Sequence, residues 1–95
     1  MEKMIESQLR KQFLKEGLNP GRWSNGPGAL YGAHSHPYAK VLMVVEGSIE
    51  FHLSQENRTV PMQTGDRLNL PPNTPHSAQV GSRGVVCLEA QLPSA

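Results

Sequence analysis

Residues 32–36 read Gly32-Ala33-His34-Ser35-His36, and residues 71–76 read Pro71-Pro72-Asn73-Thr74-Pro75-His76. These stretches hold three of the four histidines of the chain. Side chains two residues apart on a β-strand point to the same face, so we expect His34 and His36 to project side by side. His76 is the candidate for a third ligand from another strand, because the rigid proline turn before it fixes its direction. Neutral imidazoles that converge in this way are typical ligands of divalent iron, zinc, nickel, manganese and copper.

These residues alone leave an alternative open, in which the histidines are ordinary and two of them lie two positions apart on a solvated face by coincidence. The histidine outside the pattern is His52. It alternates with the apolar residues Phe51 and Leu53, which places it on the solvated side of its strand. We therefore expect His52 to lie outside any site.

An amphipathic helix is predicted over residues 5–16, where apolar residues recur at helical spacing and good helix formers fill the other positions. Gly17 ends this pattern, and Leu18 is placed to fold back on the helix as a Schellman cap. The residues from 19 to 28 are rich in turn formers around one large side chain, Trp23. Trp23 is a candidate either for packing the helix against the barrel or for covering the barrel mouth, and we favour packing because tryptophan buries a large area.

Beyond Gly28 the helical period does not return, and short apolar segments alternate with glycine, proline and asparagine. Regularly spaced short strands with turn signals indicate a β-sandwich or barrel. We predict one all-β domain, a small barrel with one short N-terminal α-helix. Its helical, turn-rich lead-in spans residues 1–28, and its barrel spans residues 29–95. The seven predicted strands are residues 29–34, 40–46, 48–54, 58–62, 67–70, 76–80 and 85–90.

The composition excludes several classes of protein. The 95 residues carry nine basic and eight acidic side chains, and the basic ones are scattered, so no patch for nucleic acid is expected. The longest apolar run, Val41–Val45, is far shorter than the roughly 20 residues of a membrane helix. The first residues contain no long apolar stretch, so we expect no secretory signal and a cytoplasmic protein. Cys87 is the only cysteine, which excludes an intrachain disulfide, and we interpret it as a buried small hydrophobe.

The same apolar run bears on assembly. Val41–Val45 is apolar on both faces of its strand, as a central or interface strand would be. A chain of this size buries only about 60–65% of its surface when it folds alone. Together with a detachable amphipathic helix, this strand predicts a homodimer.

The first histidine stretch, taken with Gly47, resembles the first motif of the cupin superfamily. That motif is His-x-His, then three or four residues to a glutamate, then six residues to a glycine. His34, His36 and Gly47 match it.

The second stretch resembles the second cupin motif, which is Gly, five residues, Pro-x-Gly, two residues, His, three residues and Asn. Gly65, Pro71 and His76 match it at the same spacing. The resemblance covers about residues 29–90 and is closest to the small, single-domain cupin 2 type. It implies a jelly-roll β-barrel in which the three histidines hold a divalent metal.

Three positions depart from the family pattern, since Lys40 occupies the glutamate position, Asn73 the second glycine position and Val80 the final asparagine position. Asparagine is the next-best residue after glycine for a left-handed turn, so Asn73 is compatible with the motif. Lys40 is the largest change. It lies an even number of residues from His34 and His36, so its side chain is expected to start on the same face as the two histidines. An ammonium about 4 Å from a divalent ion costs several kcal/mol even at a high effective dielectric constant.

Three outcomes are open for Lys40. Its side chain extends to the barrel mouth and leaves a three-histidine metal with open positions. Alternatively, it loses its proton and serves as a ligand or general base. In the third outcome the barrel holds no metal, and Lys40 and the histidines bind an anionic ligand. Glu46 and Glu50 are poorly placed to replace the missing carboxylate, whereas Glu89 replaces it if its side chain points inward.

The resulting hypothesis is a small cupin that binds one divalent transition metal and supports metal-assisted chemistry on a small anionic molecule. Iron, zinc, nickel, manganese and copper all remain candidates. Lys40 and Tyr38 are candidate catalytic residues, with packing at the rim as the alternative for Tyr38. The alternative function is a small-molecule-binding or sensor barrel, with or without metal, that performs no turnover. A purely structural dimer with vestigial histidines is a third hypothesis, because the fold does not choose the chemistry.

Overall fold

The predicted N-terminal helix is α1 (Glu2–Lys15) in the structure, a computed structural model that describes residues 2–92 and the side chains from residue 5 onward. Its end is as predicted. Gly17 has a φ of 75°, and the amide of Leu18 donates to the Phe13 carbonyl at 2.9 Å, which is the long hydrogen bond of a Schellman cap. No helix in the described residues is long and apolar enough to span a membrane.

The described residues contain six strands, which form one antiparallel sheet of a small all-β, jelly-roll-like fold. The predicted fold class is thereby confirmed. In the sheet, the order is β1-β6-β3-β4, while β2 also pairs with β6 and β5 also pairs with β3. The strands are β1 (Gly21–Asn25), β2 (Leu30–His34), β3 (Lys40–Leu53), β4 (Arg58–Gln63), β5 (Arg67–Leu70) and β6 (His76–Gln91), with a 3-10 turn at Ser54–Glu56.

The prediction of seven separate strands is wrong in its boundaries. The long strands β3 and β6 each take the place of two predicted strands. The gap predicted after residue 46 lies inside β3, and the gap predicted after residue 80 lies inside β6. Gly47 has a φ of 79°, and the pairing of β3 with β6 shifts register on either side of it. A side chain at Gly47 would collide with the carbonyl oxygen of Gly84. Glycine therefore marks an irregularity that bends a continuous strand, where the sequence pattern indicated a break.

The structure also has a strand where only turns were predicted. In β1, Gly21 pairs opposite Glu89 and Asn25 opposite Val85, both on β6. Trp23 is half-buried, and the other four residues of β1 are exposed. Pairing with a distant strand therefore makes this segment extended, although its own sequence has no apolar alternation.

The core has two layers, one on each face of β3. Leu42 and Val44 belong to the inner layer inside the barrel, whereas Val41, Met43 and Val45 belong to the outer layer. The outer layer is completed by residues of α1, of the segment after it and of β6, namely Phe13, Leu18, Leu88 and Ala90. The apolar outer face on which the homodimer prediction depended is thus covered by the chain's own helix, and the homodimer stays a prediction.

Two ion pairs join the helical segment to the barrel. Arg67 of β5 donates from both terminal nitrogen atoms to the two carboxylate oxygens of Glu16, at 2.6 and 2.7 Å. Arg67 Nε also donates to Asn69 Oδ1 at 2.9 Å, which orients the guanidinium. Near the other end of α1, Arg22 Nε of β1 donates to Glu6 Oε1 at 3.3 Å. These contacts flank the apolar packing and hold the helix along the outer face.

Candidate metal centre

The three predicted histidines meet where β2 ends and β6 begins. His34 is the last residue of β2 and pairs in register with His76, the first residue of β6. His36 lies two residues beyond β2, and its carbonyl oxygen accepts a hydrogen bond from the Asn73 amide at 2.6 Å. Asn73 has a φ of 59°, the left-handed conformation expected at its position in the proline turn. One ligand nitrogen from each of the three imidazoles lies within 4.8 Å of the other two.

Hydrogen bonds to backbone carbonyls orient two of the imidazoles. His34 Nδ1 lies 2.7 Å from the Gly32 carbonyl oxygen, and His76 Nδ1 lies 2.8 Å from the Thr74 carbonyl oxygen. A carbonyl oxygen only accepts hydrogen bonds, so we assign the proton of each neutral ring to Nδ1. The lone pair of Nε2 is then available to a metal, as in most protein sites where histidine is a ligand.

His36 supplies the third nitrogen and carries the clearest sign of an incomplete site. Its Nε2 atom is buried and has no hydrogen-bond partner within the described part of the chain. Buried polar atoms are normally paired, because desolvation without a partner is costly. An ion bound by the three imidazoles would satisfy this atom, so the residues present fit a divalent transition metal.

The surroundings of the histidines favour the neutral rings that a metal requires. Burial, and next the positive charge of Lys40, lower the pKa of His36, while Glu89 opposes this shift. Burial likewise lowers the pKa of His76, against the opposing hydrogen bond to the Thr74 carbonyl. Both rings therefore remain neutral to a lower pH than a solvated histidine.

The histidines line a cavity of about 340 Å³, at the small end of ligand pockets in proteins. His34 is exposed, His36 is half-buried and His76 is buried, so the cavity is open to solvent on the side of His34. The apolar part of its wall comes from the inner core layer, through Leu42, Ile49, Phe51 and Ala78. The other lining residues are Trp23, Ser24, Tyr31, Tyr38, Lys40 and Glu89.

Lys40 points into this cavity, as its even spacing from His34 and His36 predicts. Its side chain does not extend to the barrel mouth. Its side chain is 10% exposed, and its Nζ atom lies 3.5 Å from Glu89 Oε2. The other carboxylate oxygen of Glu89 accepts a hydrogen bond from Trp23 Nε1 at 3.2 Å. Glu89 therefore faces inward. The sequence analysis made its role at the site depend on this orientation.

Tyr38 lies beside the histidines, with its ring stacked on His36 at a centroid distance of 5.0 Å. Trp23 packs edge-to-face on Tyr31 at 5.9 Å and reaches the cavity with its indole nitrogen. Sequence reasoning favoured helix packing for Trp23 over a position at the barrel mouth, and it overlooked Tyr31. The alternation of residues 30–34 would have placed Tyr31 on a strand, but no local signal tells which face of that strand lines the cavity.

Two other residues lie outside the site, as expected. His52 is not among the cavity-lining residues, and its Nδ1 atom lies 3.4 Å from Thr59 Oγ1. Cys87 is fully buried in the inner core layer, and burial raises the pKa of its thiol to about 12. Cys87 therefore behaves as a small hydrophobe rather than as a reactive thiol.

A family model described as the cupin domain matches residues 21–88, from β1 almost to the end of β6. The chain belongs to the cupin family. The match begins earlier than residue 29, because β1 is part of the cupin sheet. No curated protein matches the chain.

Solved structures with the same fold include proteins of different kinds. A conserved protein of unknown function from Streptococcus pyogenes is 22% identical with a TM-score of 0.67, and the match covers 82% of this cupin and 67% of that chain. An RmlC-like cupin from Shewanella frigidimarina is 23% identical with a TM-score of 0.69, covering 81% and 67%. The DMSP lyase DddQ from Ruegeria pomeroyi is 22% identical with a TM-score of 0.70, covering 82% of this cupin but only 41% of the lyase. At these identities the likeness concerns the fold.

Proposed function

We propose that this cupin binds one divalent transition metal through His34, His36 and His76 and acts there on a small anionic molecule. The observation that carries the proposal is the arrangement of the ring nitrogens. Backbone carbonyl oxygens accept hydrogen bonds from Nδ1 of His34 and of His76. The buried Nε2 of His36 has no hydrogen-bond partner in the described residues. Iron, zinc, nickel, manganese and copper all accept three imidazoles, so the donor set does not select among them.

The charge of the cavity supports an anionic ligand. Three neutral imidazoles add no negative charge, and Lys40 and Glu89 cancel each other at their 3.5 Å separation. A bound divalent ion would thus keep its full charge and act as a Lewis acid toward a coordinated oxygen atom. The cavity volume of about 340 Å³ limits that ligand to a small molecule.

Lys40 and Tyr38 are the candidate residues for handling the ligand. The Lys40 ammonium has three donors, and its one ion-pair contact in the described residues is the long one to Glu89. It is thus able to donate to a ligand oxygen. Tyr38 brings a phenol next to His36, where it is able to donate to a ligand or exchange a proton with it.

A second candidate function is ligand binding without turnover, and the exposure of His34 favours it. Catalytic sites commonly exclude water by closing over the substrate. Here one of the three histidines is exposed, which leaves the site accessible to solvent. A sensor or carrier barrel does not need such exclusion.

Elemental analysis of untagged protein tests the metal site, with His34→Ala as the deletion variant and His52→Ala as the matched control. We expect close to one divalent ion per chain in the wild type and in His52→Ala, and none in His34→Ala. Wild-type protein that stays empty in the presence of each candidate metal would contradict the proposal.

A turnover screen of the metal-loaded protein then separates enzyme from binding module. The screen takes small carboxylates, diketones and DMSP, the last because two structural neighbours are DMSP lyases. Turnover that is lost in His34→Ala supports the enzyme. Saturable binding of a carboxylate without turnover supports the binding module. The predicted homodimer and cytoplasmic location belong to the same proposal, and sedimentation of the purified protein tests the first.

A further inference from the structure

The charged groups that line the cavity come from two strands that are distant in sequence. Lys40 opens β3, and Glu89 lies near the end of β6, 49 residues later. Both line the same cavity as the three histidines, and the described lining residues include no other lysine or carboxylate. A divalent ion at the histidines would therefore lie in the field of one positive and one negative side chain.

Lys40 alone is unfavourable for such an ion. Its side chain is 10% exposed, so little water screens the ammonium. Lys40 lines the same cavity as the three histidines, so its charge acts on any ion that they hold. Like charges repel, and a dication near this buried ammonium would feel the repulsion more strongly than a protonated imidazole does.

Glu89 is placed to cancel this repulsion. Its Oε2 atom lies 3.5 Å from Lys40 Nζ, and it lines the same cavity, so its negative charge offsets that of the ammonium near the histidines. Trp23 Nε1 donates to its other oxygen at 3.2 Å, and Trp23 is itself held by its edge-to-face contact with Tyr31. The carboxylate is thus anchored at one oxygen and paired with Lys40 at the other.

We propose that Glu89, oriented by Trp23, is the positioning residue that neutralises Lys40 and thereby allows the three histidines to hold a divalent ion. A carboxylate on the last strand of the barrel supplies the negative charge that the first histidine motif lacks at residue 40. It does so through the lysine and not as a direct ligand. This inference rests on the proposed function, because it concerns the affinity of the same histidines for metal.

A double-mutant cycle on zinc affinity tests the inference, with Zn²⁺ titrated calorimetrically against a competing chelator. Glu89→Gln is expected to weaken binding by about 10- to 100-fold, the range typical of residues that act behind metal ligands. Lys40→Met is expected to bind zinc more tightly than the wild type, because Glu89 then faces the ion uncompensated. In the wild type, Glu89→Gln removes the attraction of the carboxylate and also releases the Lys40 ammonium from the contact that holds it. In the Lys40→Met background the same change removes only the attraction, so the loss is expected to be clearly smaller than in the wild type.

Two further variants separate positioning from a general effect. Trp23→Phe keeps an aromatic ring but removes the donor, and we expect a smaller loss than for Glu89→Gln. Glu50→Gln is the matched control, because Glu50 is an exposed carboxylate on β3 outside the cavity. It is expected to bind zinc as the wild type does. Circular dichroism shows whether each variant is folded, and Lys40→Met tests the inference by itself if Glu89→Gln does not fold.

Several results would overturn the inference. An equal loss from Glu89→Gln in both backgrounds would show that Glu89 acts on the ion independently of Lys40, and no loss would remove its role. Weaker binding by Lys40→Met would show that Lys40 does not repel the ion. Zinc binding by Lys40→Met but not by the wild type would show that Glu89 fails to neutralise Lys40, although the histidine site stands. Absence of binding in every variant would overturn the proposed function itself.

Discussion

The two faces of β3 carry different parts of this protein, although their residues alternate in one strand. On the outer face, Val41, Met43 and Val45 pack under α1, and their contacts are completed by apolar side chains. On the inner face, Lys40 begins the cavity and Leu42 continues it, next to the three histidines.

The difference lies in whether the fold itself satisfies the groups that it buries. Among the described residues, the buried polar or charged side chains are Lys40 and His76, and both line the cavity on the inner side. The inner end of the barrel holds the unpaired Nε2 atom of His36 and a lysine with one long contact in the described residues. Buried polar groups that the fold leaves incompletely paired indicate a ligand, whereas complete apolar packing indicates stability.

The largest expected effect comes from a substitution on the inner face, at one of the three histidines. His76→Ala removes one of three ligands, so we expect zinc affinity to fall by more than about 100-fold, beyond the range of residues behind the ligands. The metal-free variant is expected to stay folded, because the outer layer is unchanged. Calorimetric titration measures the affinity, and His52→Ala serves as control. Retention of wild-type affinity by His76→Ala would remove this histidine from the site.

A substitution on the outer face is expected to lower the stability of the fold. Phe13 is 2% exposed, so Phe13→Ala is expected to lower the free energy of unfolding by about 3–5 kcal/mol. Leu14 is the neighbouring control, because it is 62% exposed and Leu14→Ala is expected to cost no more than about 0.5 kcal/mol. Urea denaturation of both variants measures the difference. Equal losses would mean that α1 does not pack on the sheet as described.

Zinc binding sharpens the comparison, because it acts only on the inner face. At a free zinc concentration about 100 times Kd, binding is expected to raise the free energy of unfolding by about 2.7 kcal/mol. We expect the same increment in Phe13→Ala, since distant sites without shared partners usually add within about 0.5 kcal/mol. Denaturation with and without zinc checks this. A clearly smaller increment in Phe13→Ala would show that the helix supports the site.

The smallest expected effect concerns the ion pair beside the outer face. Hydrogen bonds from Arg67, and next from Gln12, lower the pKa of Glu16 to about 2 in the folded chain, from an ordinary value of 4.5. A lowered folded pKa stabilises the fold above pH 4.5, and this contribution is lost as the pH falls from 4.5 toward 2. Glu16→Gln is therefore expected to flatten the decline of the unfolding midpoint over that interval, while Glu50→Gln keeps the wild-type slope. Equal slopes in all three proteins would contradict the role of Glu16.

Local patterns predicted much of the fold and the histidine set. The helix and its cap followed from the spacing of apolar residues and from Gly17, and both are present. The spacing of the histidine motifs selected three histidines that meet in space. Other elements depend on pairing between distant segments, and β1 is a strand because β6 lies beside it. Gly47 looked like a break, since its collision with Gly84 arises only in the paired sheet.

The sequence by itself determined the class of the fold, the helix and the three histidines, because residue periodicity and turn chemistry are local properties of the chain. It also placed Lys40 on the face of the histidines. Only the tertiary structure decided that α1 covers the outer face of β3 and that Glu89 meets Lys40. The physical reason is that the register between strands, and the face on which a helix packs, follow from the burial of the whole chain. A residue 49 positions away is invisible to any local pattern until β3 and β6 are side by side.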